Sequence, residues 1–533
     1  MPTINLGNLE NQEKILKRAA ENKDLLLQIL ASVDSLQEFN WRKYWTLQRT
    51  GRIFTVRKYD HSVSTSTTLE KLDDNAGRVM VPATDTDPGT NDYADEPMFK
   101  YLTVNATVDE DGNHHITAVE GDGTFSRDGS NGNVFVMYMP WFVRTVKGEG
   151  YTDISVSDIM HEGFIPIKPA IAPDGTIAPF MLFAAYHNTG YGGKPSSVSG
   201  GKIPRNRSYS NNIAYFSTLG SQYCSMASWD WQFIQLLMMI KYGTTNSQSI
   251  MRGCTSYNLQ KKVAVAEADT TRVILATSDA SGYVAGSCVS VGDVGSETNL
   301  DRGQSYIHNI ADNVKILSIE TVTIDATEYT ALNLDVVTLT TTVTTYVTTM
   351  HWHTGATDNV LGPDGSPVSN TSGKYPCRIG GIEIHCGGYD VIANVVFDYV
   401  TTDDVTAIDV YVCDDAAKLT TDAAAIRSTY KKIGQIPNTA GAWKYITELL
   451  DDYANGISIP AAVGGGGESI GYADGLITNA ATSGLFECLA LGSLHYGGGA
   501  GAWCLDANGG VSGAWWALLA RLSPNGRRGE WVA

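Results

Sequence analysis

Charge is scarce in this sequence, at 18% of residues, and positive charge is scarcer still, with 38 Lys and Arg against 57 Asp and Glu. A net charge of −19 leaves no basic stripe to follow a nucleic-acid backbone and no cationic face for anionic lipid. Solubility is the simplest role for such a charge. The apolar stretch from Phe233 to Ile240 is too short to span a bilayer, so no membrane insertion is expected. The opening segment MPTINLGNLENQEK lacks the apolar core of a secretory signal, which implies synthesis in a cytoplasm and release, if any, by lysis. The eight cysteines, at 224, 254, 288, 377, 386, 413, 488 and 504, form no CxxC pair and no Cys/His spacing suited to zinc. Buried thiols are the plain reading. There is no G-x-S-x-G, Walker loop or H-E-x-x-H either. No catalytic residue, metal ligand or cofactor is therefore assigned, and an enzyme is not expected.

Glycine and tyrosine are plentiful instead, 54 and 26 of 533 residues. That composition suits a rigid, β-rich protein, and the length exceeds the usual size of one core. Residues 9–39 carry an approximate heptad of Ile15, Ala19, Asn22, Leu26, Ile29, Val33 and Leu36, the spacing of a coiled-coil seam, with Asn22 placed to set register. The alternative is one amphipathic helix packed on its own domain, because Leu16, Leu25 and Leu30 widen the stripe. From Trp41 to Arg144 the pattern becomes strand-like: FTVRKY, KYLTVNATV, HHITAVEG and NVFVMYMPWFV, with DEDGN and DGSNGN as turns. Asp109, Asp111 and Gly112 lack the twelfth-position Glu of a calcium loop and read as a turn. A helix is predicted over Trp229–Tyr242, with Trp229, Trp231, Phe233, Ile234, Leu237 and Ile240 as core. Residues 255–375 are rich in Thr and β-branched side chains, which predicts an inserted small barrel or sandwich. His351 and His353 flank Trp352 on one strand face there, but no third metal ligand is in sight.

The last fifty residues are the most informative. From Leu491 to Trp531 small residues recur at Gly492-Ser493, Gly497, Gly501-Ala502 and Ser512, while unrelated side chains fill the gaps. Glycine allows close backbone approach and unusual dihedrals, so the pattern reads as a fixed backbone with free positions between. It resembles the variable region of phage tropism determinants, the target proteins of diversity-generating retroelements, whose C-type-lectin-like domain ends in GGSW…G…AG…L…PS…GAR. Gly492-Ser493 stands at GGS, with Leu491 for its first glycine and Leu494 for the tryptophan. Ala500-Gly501 stands at AG, Val511-Ser512 at PS and Ala520-Arg521 at the close of GAR. Two further segments are similar to the family's core: Arg378–Asp398, which carries Gly381-Ile382-Glu383, Gly388 and Val395-Val396, and the helix-bearing Ser225–Gly253.

The resemblance implies an α+β, β-rich chain. Residues 1–40 would be an oligomerising helix, 41–132 a β-rich connecting domain, and 133–254 and 376–533 a C-type-lectin-like domain. The β-insert at 255–375 would interrupt that domain, and the variable region would lie at about 484–522. The fold's relatives with enzymatic or calcium-dependent sugar-binding roles do not fit, since Cys488 and Cys504 lie too far apart for the formylglycine-generating motif and no EPN, QPD or WND occurs. The implied function is that of a phage receptor-binding protein: a homotrimeric virion component made in the bacterial host, joined to other virion proteins through its N-terminal region, that meets a bacterial surface protein or glycan. The rival reading is a structural protein with no diversified site. In the family adenines are mutated, so AAC-type codons reach many residues but not Trp or Glu. His495, Tyr496, Cys504, Asp506, Asn508, Gly509, Gly513 and Ala517 are thus the candidate ligand-binding positions, with Trp515 reachable from AAG. Trp503, Trp516 and Glu487 read as framework. The candidates are expected on one exposed face with Tyr496 as anchor, because a rigid amphipathic ring gives contact area at low entropic cost.

Overall fold

The computed structural model describes residues 9–33, 39–109 and 114–532. Strand exceeds helix, 35% to 17%, so the chain is α+β and β-rich. The segment 1–8, Leu36 of the heptad, and Asp111 and Gly112 of the DEDGN turn lie outside the described residues.

Asn22 divides the N-terminal helical pattern in two. Helix α1 runs Leu9–Glu21 and α2 runs Lys23–Leu30. Asn22 between them is extended (φ −143°, ψ 113°), and its Oδ1 accepts the backbone N–H groups of Asp24 and Leu25. A short amide side chain satisfies orphan N–H groups at a helix start better than it serves a helix interior. The helix that would carry the seam is therefore interrupted at Asn22. Ala19, Leu26 and Ile29 of that heptad turn inward with Leu16 and Leu30, onto Trp41, Tyr44 and Trp45 of helix α3 (Trp41–Gln48). This is the own-domain packing that the widened stripe allowed.

Two antiparallel sheets follow. One has the order Ile165–Pro166, Phe142–Gly148, Tyr151–Ser157, Ile53–Tyr59, Glu70–Asp73; the other, Met181–Ala184, Asn133–Tyr138, Leu102–Val108, His114–Val119. The apolar run NVFVMYMPWFV supplies a strand to each sheet and turns the corner at Met139-Pro140-Trp141. The boundary placed at 132/133 accordingly crosses both sheets, and the residues on its two sides share one hydrophobic core. A short helix, α4 (Tyr209–Phe216), precedes the central helix α5 (Ser228–Tyr242). Helix α5 is buried on every side up to Lys241 and ends on Gly243 in the left-handed region (φ +62°). Phe233 of α5 stacks on Phe183 with centroids 4.3 Å apart, and all six of its predicted core residues are buried.

Between Gln260 and Met350 lies a six-stranded sheet in the order Gln260–Lys262, Thr345–Met350, Cys288–Asp293, Ala311–Ile324, Thr327–Leu334, Arg272–Ala276. The Ala264 N–H donates to the Ile274 carbonyl (2.8 Å), which joins the first strand's continuation to the last and closes the sheet on itself. Val273, Leu275, Val289, Ile316, Leu332 and Val347 fill a separate core inside it, four of them β-branched residues that suit a half-buried strand. His351 and His353 part ways after this sheet. His351 stacks on Trp516 (5.4 Å) and His353 bonds the Asn313 carbonyl (3.1 Å). Among the described residues no cluster of metal-ligating side chains forms.

The C-terminal part is a nine-stranded sheet in the order Lys431–Ile436, Val405–Val412, Tyr389–Thr402, Gly484–Ala490, Leu505–Ala507, Gly475–Thr478, Lys444–Asp452, Ile457–Gly464, with Leu518–Leu519 parallel to Tyr389–Thr402. A short helix, Ala423–Thr429, lies between the strands Val405–Val412 and Lys431–Ile436. No helix among the described residues is long and apolar enough to cross a membrane.

Candidate functional site

The strand pairing assembles the site. Val391 lies opposite Leu489, and Leu489 opposite Asp506. Side chains alternate along a strand, so Tyr389, Glu487, Leu489 and Asp506 share one face of the sheet. The chain enters that face through a turn that only glycine permits. Gly492 has φ +87°, and a Cβ on it would lie 2.6 Å from the Ala500 Cβ; Gly501 has φ +142°, and a Cβ there would overlap the Asp474 carboxylate. These are two of the small positions singled out in the sequence. The Asp474 Oδ2 accepts the Trp503 N–H (2.8 Å), Leu494 is tied to the Gly387 and Tyr257 backbones, and the Gln248 amide donates to the carbonyls of Gly498 and Ala500. The turn is held from several sides.

Above it opens a cavity of about 320 Å³. His495, Tyr496, Asp506, Asn508, Gly509, Trp515 and Ala517 line it, seven of the nine positions chosen from sequence. The expected exposed face is in fact a concave one: Asn508 is exposed, His495, Tyr496 and Trp515 are half-buried, and Asp506, Gly509 and Ala517 are buried. Two candidates lie elsewhere. Cys504 is fully buried beneath the Gly492 turn, its Sγ 3.4 Å from where a Gly492 Cβ would stand, because it enters the strand below the surface. Gly513 closes the turn from Gly510 (2.7 Å) and backs the Trp515 ring instead of facing the cavity. Trp503, Trp516 and Glu487, read as framework, are all buried, although Trp516 also shows an edge to the cavity.

Sequence reasoning missed Tyr389, Arg302, Ser305 and Gly510, which complete the lining. Tyr389 sits in the recognised core segment, but nothing in the string says that its hydroxyl reaches residue 506. Arg302 and Ser305 come from the inserted β-region, whose place beside the tail is a tertiary fact without a local signal.

Aromatic rings form the walls. Tyr496 lies 4.3 Å from His495, 4.6 Å from Trp443 and 5.4 Å from Tyr389, centroid to centroid. Tyr496 is thus braced, not free. At the inner end, Asp506 Oδ2 accepts the Tyr389 hydroxyl (2.8 Å) and Oδ1 accepts the Asn508 N–H (2.8 Å). Burial pushes the Asp506 carboxyl up to about 6, against those two hydrogen bonds. Glu487 lies behind Gly509 with no hydrogen-bond partner on either oxygen among the described residues. Burial first, and then the charge of Asp506, raises its carboxyl well above the usual range. Burial, and secondarily Arg302, lowers the His495 imidazole to about 4, so it is neutral at pH 7. The arrangement can enclose a small group between rings and offer it a carboxylate.

A larger cavity of about 500 Å³ separates α1–α3 from the body, next to Lys23, Trp45 and Arg378. None of the sequence candidates lines it. No known family profile and no curated protein matches the chain.

Proposed function

We propose that the protein is a phage receptor-binding protein of the retroelement-diversified kind. Its C-terminal region would be a C-type-lectin-like display domain interrupted by the closed β-insert, and its function non-covalent recognition of a bacterial surface molecule. The observation that carries this reading is the convergence of seven sequence-chosen positions on one cavity, while the three framework positions are buried in its support. A tail that only packed against neighbours would have no reason to place its most variable-looking residues together around an opening. The homotrimer, the attachment to other virion proteins and the virion location belong to the same reading. The trimer rests on the family resemblance alone, since the heptad residues Ala19, Leu26 and Ile29 are spent on the chain's own core.

The test is a glycan-array and bacterial-surface binding screen with the full chain. Saturable binding to a surface molecule supports the reading, and binding to no host surface overturns it in favour of a purely structural role. Sequencing the neighbouring genome gives an independent check: a reverse transcriptase gene and a near-copy of the last ~100 bases are expected, by the logic of repeat matching.

A further inference from the structure

The inner end of the cavity holds one carboxyl, Asp506, with a second, Glu487, behind the Gly509 wall, and Arg302 is the one basic side chain in the lining among the described residues. Asp506 uses one lone pair of each oxygen on Tyr389 and Asn508, which leaves a second on each. Glu487 stands directly beneath Gly509 with both oxygens unpartnered among the described residues. Among the described residues neither carboxyl has a basic side chain within ion-pair distance. Around them stand the faces and edges of Tyr389, Tyr496, Trp515 and Trp516. An ionised carboxyl buried as Asp506 is costs free energy without a counter-charge, and aromatic faces attract cations through their quadrupoles, most strongly where water is excluded. The two features call for the same ligand.

We propose that this cavity takes an alkylammonium group, the end of a lysine side chain or a quaternary amine, carried by the molecule that the display face meets. The inference rests on the receptor-binding reading and gives it a chemistry. The carboxylate accepts the ammonium N–H groups or faces the quaternary charge, while the rings pack on the methylenes or methyls around it. The neutral imidazole of His495 sets no charge against the guest. The chain's net charge of −19 adds a long-range attraction for cationic partners. One feature opposes the guest: Arg302, exposed at the mouth, is positive. That opposition makes the proposal sharp, because the sign of the Arg302 effect reports the sign of the ligand.

The test is titration of the full chain with Nα-acetyl-lysine methylamide and, separately, choline, read by tryptophan fluorescence and calorimetry. The Nε-acetylated lysine derivative and N-acetylglucosamine serve as neutral comparisons. At least one ammonium probe should bind about tenfold or more tightly than the acetylated derivative, the scale of a desolvated cation–π contact with a carboxylate. The better of the two tells a lysine source from a quaternary one. Asp506→Asn should lose about that tenfold, whereas Arg302→Ala, an exposed change that leaves the fold alone, should tighten binding. Equal binding of the acetylated derivative, titration by the monosaccharide alone, no response to either ammonium probe, or weaker binding in Arg302→Ala would each overturn the proposal. If labelled protein still binds host cells while the ammonium probes fail, the cation inference falls and the receptor reading stands. If neither binds, both fall.

Discussion

Tyr496 and Trp516 show how a residue's role depends on what its ring touches. Tyr496 contacts the rings of His495, Trp443 and Tyr389, so Tyr496→Ala should cost stability as well as ligand contact, about 1–3 kcal/mol in thermal or urea denaturation. Trp516 is 4% exposed, and Trp516→Ala should open a core cavity costing about 3–5 kcal/mol. Asn508 is exposed, and Asn508→Ala should shift the melting point little, by less than about half a kcal/mol. If Tyr496→Ala melted like wild type, the braced arrangement would be wrong. The carboxyls make a separate prediction. Asp506 titrates near 6 in the folded chain, above its unfolded value near 3.8, so the folded state holds the proton more tightly. Its contribution to stability is therefore fullest below about pH 4 and is lost as pH rises through about 6. Wild type should gain stability on moving from pH 7 to pH 5 relative to Asp506→Asn measured at the same two pH values. A difference that is flat or reversed with pH would contradict the burial assigned to this carboxyl.

At the scale of the element, short-range chemistry overrode the longer pattern at the N-terminus. A heptad is a statement about spacing, but Asn22 offers its side chain to two backbone N–H groups and stops the helix in the middle of the seam. Asn22→Ala should cost about 1 kcal/mol, the usual worth of an N-cap, measured by chemical denaturation; a gain in stability with a longer helix would show that the cap is incidental. The strands were legible because alternation and β-branching are local. The helix Ser228–Tyr242 was legible because its apolar residues run long and end at Gly243. The tail glycines were legible for another reason: Gly492 and Gly501 stand where side chains cannot. Gly501→Ala should thus destabilise by more than about 1 kcal/mol, through its positive φ and the Asp474 overlap. What the sequence left unread is the meeting of distant elements, such as Arg302 with His495 or Tyr389 with Asp506. No local spacing encodes those contacts. Equally hidden was the concavity: alternation gives the face on which Asp506 lies, but not the Trp515 and Tyr496 walls that sink it.

For the whole molecule, the layout places the cavity on the C-terminal sheet, floored by the strands Tyr389–Thr402, Gly484–Ala490 and Leu505–Ala507 and rimmed by the β-insert. Three such sites on one trimer would convert weak individual contacts into avid binding, and light scattering on the full chain should give three copies; a clean monomer at micromolar concentration would remove that part of the account. On the proposed function the cavity reads the receptor. This is tested most directly by measuring the binding of labelled full-length protein to host cells for wild type and for Asn508→Trp, a change at the exposed lip that fills the opening without entering the core. Asn508→Trp should melt as wild type does and lose at least about tenfold in cell binding, the scale of a hot spot. Undiminished binding by a stably folded Asn508→Trp would contradict it.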